Sequence, residues 1–230
     1  MPTHDSHAPF QPKMLITAGP TREPIDDVRF IGNRSSGTLG IELAREAVNR
    51  GILTTLALGS SVHDPNILEA SVVRFESTAD LHQLLLGLMP DIDILVMAAA
   101  VADHMPAVRH PGKLGRNETG SITIDLVPTP DLLASVAASA RPDQLLVGFA
   151  LEPADRLAES AQRKLEIKHV DLIVANPLDT MESSVIEATL FPSAALSHLV
   201  ERSPGQRSKE SFAAWLIPML VQCLRHKANR

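Results

Sequence analysis

Two periodicities alternate along this chain. Short apolar runs recur at residues 14–18, 53–58, 71–75, 92–98, 144–149 and 170–175. Runs of this length, rich in Val, Ile and Leu, suit strands buried on both faces. Between them lie stretches with helical spacing: 41–50, 79–88 with Thr78 as its cap, 131–140 opened by Pro130, 153–168 and 208–226. Residues 122–126 alternate and read as one more strand. Residues 185–191 and 196–200 are expected to pair as antiparallel edge strands. The pattern predicts an α/β fold: a doubly wound, mostly parallel, Rossmann-like sheet with helices on both faces and a short antiparallel edge. Residues 1–12, proline-rich and polar, read as a disordered lead-in, and 13–230 as one domain. Residues 110–120, rich in Pro, Gly and charge, read as a mobile flap.

The segment Gly19-Pro-Thr-Arg-Glu-Pro-Ile-Asp-Asp-Val-Arg-Phe-Ile-Gly-Asn33-Arg34-Ser35-Ser36-Gly37-Thr-Leu-Gly40 joins the first strand to the first long helix. In open α/β sheets ligands bind at the carboxyl ends of the strands, where such a loop lies. Ser35, Ser36, Gly37 and Gly40 bring hydroxyls and accessible N–H groups to a helix N-terminus, which suits a phosphate. The spacing is neither G-x-G-x-x-G nor a P-loop. A serine-rich cap with turn glycines is the plain alternative.

Composition narrows the function classes. Aromatic residues are only 3% of the 230, with no Tyr and one Trp, so no stacking platform for single-stranded nucleic acid is expected. The net charge is −6, from 21 basic and 27 acidic residues, which argues against a polyanion binder. The single cysteine, Cys223, cannot form an internal disulfide, and a reducing cytoplasm fits. No apolar run approaches the ~18 residues of a membrane span.

Several residues could carry chemistry. Ala98-Ala-Ala-Val-Ala-Asp103 ends a strand with small side chains and then a carboxylate. It reads either as tight helix–sheet packing with a cap or as a ligand wall. Lys113, with Arg109 and Arg116, is either a solvated basic loop or a cation on a flap that follows developing charge. Lys164 and Lys168 share a helix face, and Glu166 lies on another. They are either solvated or free to hold a phosphate or a base edge. Asn33 offers a donor and an acceptor, or serves only a turn. His104 and His110 have no metal-ligand spacing, and metal ligands stay unassigned.

Taken together, the blocks resemble a known family. Residues 17–26 and 28–37, then 98–103, Pro130-Asp131-Leu132-Leu133, Val147-Gly-Phe-Ala-Leu-Glu152, and 161–168 with 171–176 occur in the order found in phosphopantothenate–cysteine ligases of coenzyme A biosynthesis. The resemblance implies joining of 4′-phosphopantothenate to cysteine through an acyl-nucleotidylate, with CTP favoured over ATP and Mg²⁺ entering with the triphosphate. It implies that Asn33, Ala99 and Ala100 meet the acyl substrate, with Asn33 and Lys113 catalytic. It assigns Gly19, Ser35, Gly37, Gly40, Asp103, Lys113, Pro130, Asp131, Leu132, Leu133, Phe149, Lys164, Lys168 and Asn176 to the nucleotide. It further implies a homodimer, a cytoplasmic enzyme, no flavin, and a separate phosphopantothenoylcysteine decarboxylase as a partner. The chain departs from the family at Gly115, Thr129 and residues 181–187. Two rivals stay open here. One is a non-catalytic nucleotide-binding homologue. The other is a nicotinamide-dependent oxidoreductase, for which Leu58-Gly-Ser-Ser lacks the usual acid.

Overall fold

The computed structural model describes residues 11–67, 69–115, 120–178 and 183–229. The chain runs β1 (Lys13–Ala18), β2 (Arg22–Pro24), β3 (Phe30–Gly32), α1 (Thr38–Asn49), β4 (Leu53–Gly59), β5 (Ser71–Phe75), α2 (Thr78–Leu88) and β6 (Ile94–Met97). Then follow β7 (His104–Pro106), β8 (Leu126–Pro128), α3 (Leu132–Ala137), β9 (Leu145–Glu152), α4 (Leu157–Lys168) and β10 (Leu172–Pro177). The last elements are β11 (Val185–Ile186), β12 (Thr189–Pro192), β13 (Arg207–Ser208) and α5 (Lys209–Ala228).

Seven strands form the central sheet in the order β5-β4-β1-β6-β9-β10-β12. All neighbours are parallel except β12, which runs antiparallel to β10 with Val174 opposite Leu190. The apolar runs are continuous because both faces are covered. Met14, Ile16, Val96, Val147 and Val174 point to one face and pack on Leu43 and Ala47 of α1 and Phe212, Leu216 and Leu220 of α5. Leu15, Leu95, Leu146 and Ile173 point to the other, against Leu81 and Leu85 of α2, Val136 of α3 and Ala161 and Leu165 of α4. Each fully buried Val, Leu, Ile, Met or Phe among them contributes about 1.5–3 kcal/mol by leaving water.

Strand order reverses at β1 and β6. From β1 the chain leaves to α1 on one face; from β6 it leads on to α3 on the other. A crevice opens between them at the carboxyl edge, the position that ligands occupy in doubly wound folds. The far helix is pinned to the same frame. Near its C-terminal end, Lys227 Nζ donates to Asp171 Oδ1 at 2.7 Å and to Gln144 O at 2.6 Å. Asp171 Oδ2 also accepts from Leu146 N–H at 2.8 Å. These bonds hold that end of α5 at the amino edge of the sheet. Twenty residues at ~1.5 Å each then carry the other end to the carboxyl edge. Cys223 lies buried beside this tie, where burial and the Asp171 charge push its thiol up to about 11.

Several local expectations change. Ser77, not Thr78, caps α2, in a capping box with Asp80; Thr78 is buried and bonds Glu23 instead. Residues 121–125 join no ladder, and only Leu126–Pro128 pairs, with His104–Pro106. Ile122 stays 45% exposed, so the alternation has no second layer to cover it. Residues 196–200 form turns rather than a strand, and β11 pairs with β13 instead. The long first loop holds an unforeseen hairpin, β2–β3, too short for its alternation to register. Residues 1–10 lie outside the described residues.

Gly40 sets how closely α1 approaches β1. A Cβ there would stand 2.5 Å from the Ala18 Cβ. Gly87, inside α2, has nothing within 4 Å of that position. Gly40→Ala should therefore destabilise the protein by roughly 1–3 kcal/mol through overpacking. Gly87→Ala should stabilise it by up to about 1 kcal/mol through helix propensity. Chemical denaturation of both variants checks the pair; equal effects of one sign would contradict the packing described.

Candidate active site

A cavity of about 810 Å³ lies over the β1–β6 crevice. One wall is the loop 32–37 with Leu39 and Gly40 of α1; the facing wall is 97–103, after β6. Phe149–Leu151 of β9 and Asn176 of β10 lie along the sheet edge. Thr129–Leu133 with Lys164 and Lys168 close the α3–α4 side, and Leu178, Val185, Ile186 and Lys209 close the side toward α5.

The second wall is tied down from both sides. Ala100 N–H donates to Gly19 O at 3.0 Å, and Thr21 N–H to Ala100 O at 3.2 Å. The Thr17 hydroxyl accepts from Ala99 N–H at 3.0 Å, and the Thr21 hydroxyl from Ala102 N–H at 2.9 Å. Thr129 donates its hydroxyl to Ala102 O and its N–H to Asp103 O. Asn33 Nδ2 reaches across to Val101 O at 2.9 Å and so joins the two walls directly. With the N–H groups of Ala99, Ala100 and Ala102 and the carbonyls of Ala100, Val101 and Ala102 bonded to neighbours, this wall is held in place by its main chain, and its small side chains let a ligand lie close to it.

The first wall ends in an electropositive helix start. Gly37 takes φ +72°, a left-handed conformation that disfavours other residues, and turns the chain into α1. The N-cap Gly37 offers no side chain, only long 3.4 Å bonds run from Gly37 N–H to Ser35 Oγ and from Thr38 N–H to Ser36 Oγ, and no acid stands in the first turn. The helix start therefore keeps its attraction for an anion.

The lysines on the α3–α4 side are not free, contrary to the expectation from their shared face. Lys164 Nζ lies 2.6 Å from Glu152 Oε1, and Lys168 Nζ 2.9 Å from Asp131 Oδ2. The pairing depends on the sheet and on the start of α3, so sequence spacing within α4 could not show it. Burial pushes the Glu152 carboxyl up, but Lys164 and the Ser160 hydroxyl outweigh it and leave it below the ordinary carboxylate range. Burial likewise opposes, and the Ala134 N–H and Lys168 overcome it, at Asp131, which caps α3.

Asn33, Ser35, Gly37 and Gly40 thus stand together on one wall, and Ala99, Ala100 and Asp103 on the other. Pro130, Asp131, Leu132, Leu133, Phe149, Lys164, Lys168 and Asn176 share the same cavity. Gly19 and Lys113 are not among the lining residues. Gly19 sits behind Gly37; a Cβ on Gly37 would be 3.2 Å from its nitrogen.

Lys113 is exposed, and its neighbours are latched to the β2–β3 hairpin. Gly112 N–H donates to Asp27 Oδ2 and Leu114 N–H to Asp26 Oδ2, both at 3.0 Å. Arg109 also pairs with Asp27 at 3.0 Å. The described part of the expected flap is therefore docked, while Arg116 lies outside the described residues. The Arg29 guanidinium, with the N–H groups of Leu114, Val28 and Arg29, holds the Asp26 carboxyl well below the usual carboxylate range despite burial. Arg34, Leu39, Leu178 and Lys209 also line the cavity, beyond the residues expected from sequence. Only Lys209 left a trace, a cation next to the helix cap Ser208, where acids are the norm.

A family model described as "DNA/pantothenate metabolism flavoprotein C-terminal domain" matches residues 11–223. The chain belongs to this family. Over 174 residues it is 40% identical to the coenzyme A biosynthesis bifunctional protein CoaBC of Vibrio vulnificus (strain YJ016), covering 73% of this chain and 43% of the relative. It is 41% identical over 166 residues to a protein of an unknown prokaryotic organism named cysteine/cysteine sulfinic acid decarboxylase, covering 72% of this chain and 46% of the relative. The chain thus spans under half the length of these curated relatives. The crystal structure of the C-terminal domain of a CoaBC protein superimposes with a TM-score of 0.77 at 32% identity, covering 94% of this chain and 97% of that domain.

The latch has a checkable pH signature. A carboxyl held low when folded stabilises fully above its unfolded value of about 3.9 and loses that contribution as pH falls through its lowered value. Asp26→Asn should lower the unfolding midpoint at pH 7 and speed protease cleavage within 107–115. The difference from the parent should persist at pH 5 and narrow below about pH 4. Unchanged cleavage would show that Asp26 does not hold the latch.

Proposed function

We propose that this chain ligates 4′-phosphopantothenate to cysteine in coenzyme A biosynthesis, by way of an acyl-nucleotidylate made from CTP. The observation that carries the reading is the cavity between the Asn33–Gly40 wall and the 99–103 wall, in a chain that matches the C-terminal domain of CoaBC along nearly its whole length. The chemistry follows from a carboxylate being a poor acyl donor. Its oxygen attacks the α-phosphorus of the triphosphate, a P–O bond forms, and pyrophosphate leaves. The cysteine amine then attacks the acyl carbon, the nucleoside monophosphate departs, and the amine proton passes to solvent.

The protein's part is positioning and charge stabilisation. The start of α1, with Ser35 and Gly37, holds phosphoryl oxygens. Ala99 and Ala100 leave room for the pantothenate arm beside the backbone. Asn33 Oδ1 is left to meet the substrate because its Nδ2 is engaged by Val101. On the α3–α4 side, Lys164 and Lys168 are neutralised by Glu152 and Asp131, which suits a neutral base edge better than a phosphate; Phe149 and Asn176 lie alongside. Mg²⁺ would enter with the triphosphate and offset its charge. Asp103 is the cavity carboxylate that fits it, being outside the lysine pairs, and no cluster of three ligating side chains exists among the described residues. Lys113 reaches a triphosphate only if the latch to Asp26 and Asp27 opens or if it serves the cavity of a second copy.

A homodimer is part of the reading. Val28, Phe30, Val108, Leu126 and Val127 are exposed around the hairpin and the β7–β8 pair, an apolar surface that a second copy would cover. Residues 13–230 act as one domain, no flavin takes part, and a phosphopantothenoylcysteine decarboxylase consumes the product. No helix among the described residues is long and apolar enough to cross a membrane, and a cytoplasmic site of action fits the lone buried thiol.

Purified protein should release pyrophosphate only when 4′-phosphopantothenate and a nucleoside triphosphate are both present, faster with CTP than with ATP. Background release from folded protein with every nucleotide would leave the non-catalytic reading standing. Asn33→Asp loses the donor to Val101 and adds a negative charge beside an anionic intermediate. It should slow amide formation by roughly 10²–10³, the usual loss for one preorganised polar contact. A quenched reaction with labelled 4′-phosphopantothenate, with and without cysteine, reads both halves; parent rates would reduce Asn33 to a turn residue.

A further inference from the structure

Four cations line the cavity: Arg34, Lys164, Lys168 and Lys209. Two of them are answered by carboxylates, Lys164 by Glu152 and Lys168 by Asp131. Arg34 is exposed to solvent. Lys209 differs from all three. It is half-buried, and among the described residues no carboxylate pairs with it.

Its place is fixed by the backbone. Val185 pairs with Ser208 and Ile186 with Arg207, so the β11–β13 ladder delivers Lys209 to the cavity beside Ile186. The tie at Lys227 holds the other end of α5. Lys209 is also the first residue of that helix, where Ser208 already accepts from Ser211 N–H. A cation there faces the positive end of the helix dipole and weakens the helix. Glu210 follows directly, but adjacent residues on a helix point apart and do not pair. Val185 and Ile186 add desolvation, and burial accordingly pulls the ammonium below the ordinary lysine range. Thus nothing in the packing rewards a lysine at this position, and an anion in the cavity would.

We propose that Lys209 seats a phosphoryl group of the bound substrates, on the α1–α5 side of the cavity. The inference rests on the reaction proposed above and sharpens it. Charge sorts the cavity: the α3–α4 side, with both lysines neutralised, takes an uncharged part of a ligand, and the side of Lys209 and the uncapped start of α1 takes the phosphate. The phosphoryl group belongs either to the triphosphate or to 4′-phosphopantothenate, and the two are separable by experiment.

Calorimetry on the full chain compares the parent with Lys209→Gln and Lys209→Arg. The ligands are CTP against cytidine, 4′-phosphopantothenate against pantothenate, and pyrophosphate alone. Lys209→Gln should weaken at least one phosphorylated ligand by roughly tenfold or more, the loss typical of one charged hydrogen bond. Its unphosphorylated counterpart should bind as to the parent, and Lys209→Arg should stay within about threefold. The ligand that loses affinity names the source of the phosphoryl group. Without ligand, the unfolding temperature of Lys209→Gln should equal or exceed that of the parent. Pyrophosphate keeps the test independent of the reaction: its weakened binding to Lys209→Gln supports the seat even if neither substrate binds the parent, a result that would sink the ligase instead. Equal affinity of parent and Lys209→Gln for every phosphorylated ligand would overturn the proposal. So would a lowered unfolding temperature with affinities unchanged.

Discussion

Parallel pairing of β1 with β6, followed by departure of the two chains to opposite faces, is the constraint on which the rest of this molecule depends. Met14 to Thr17 pair in register with Ile94 to Met97. Beyond that ladder no crossover helix covers the gap, because α1 lies on one face and α3 on the other. The crevice therefore follows from topology rather than from any one side chain. What the local residues decide is its lining. Gly40 lets α1 approach Ala18, and threonines at 17, 21 and 129 bond the main chain of Ala99 and Ala102 with short side chains. Bulkier polar partners at those positions would fill the space that a ligand needs.

Electrostatics give this lining a direction. The start of α1 has no acid and only a long serine bond at Thr38 N–H, so the helix end keeps its attraction for anions. Across the sheet edge, two lysines are already compensated. The same residue type thus plays two parts in one cavity, decided by which neighbours the sheet brings. The proposed reaction would bring together a triphosphate, a second phosphate and two carboxylates, anions that repel one another unless each has its own partner. Tying the walls together through Asn33 and Val101 lets this arrangement be held before the substrates arrive.

The legible part of the fold was the part governed by burial. Six runs of the central sheet stand close to their expected limits, since strands covered on both faces write continuous apolar sequence. Short ladders such as β2–β3 and β11–β13 have two or three residues per strand and carry no usable period. The strand expected at 122–126 shows the converse: alternation without a covering layer. In the site, the walls were legible because glycine, serine and alanine cluster in sequence where the backbone must be approached. The partners of Lys164 and Lys168 and the place of Lys209 were not, because each depends on residues brought in from other elements. The latch on Lys113 was hidden for the same reason, with Asp26 and Asp27 more than eighty residues away from the groups they hold.

The most direct measurement is a crystal structure of the protein with CTP and 4′-phosphopantothenate, or with a stable analogue of the acyl-nucleotidylate. One continuous ligand should occupy the β1–β6 crevice. Its phosphoryl groups should lie at the start of α1 near Gly37, its acyl arm against Ala99 and Ala100, and its base toward Phe149 and the α3–α4 side. Ligand density elsewhere, such as the hollow formed by Gln11, Arg50 and Arg225 on the opposite edge, with the crevice empty, would contradict it.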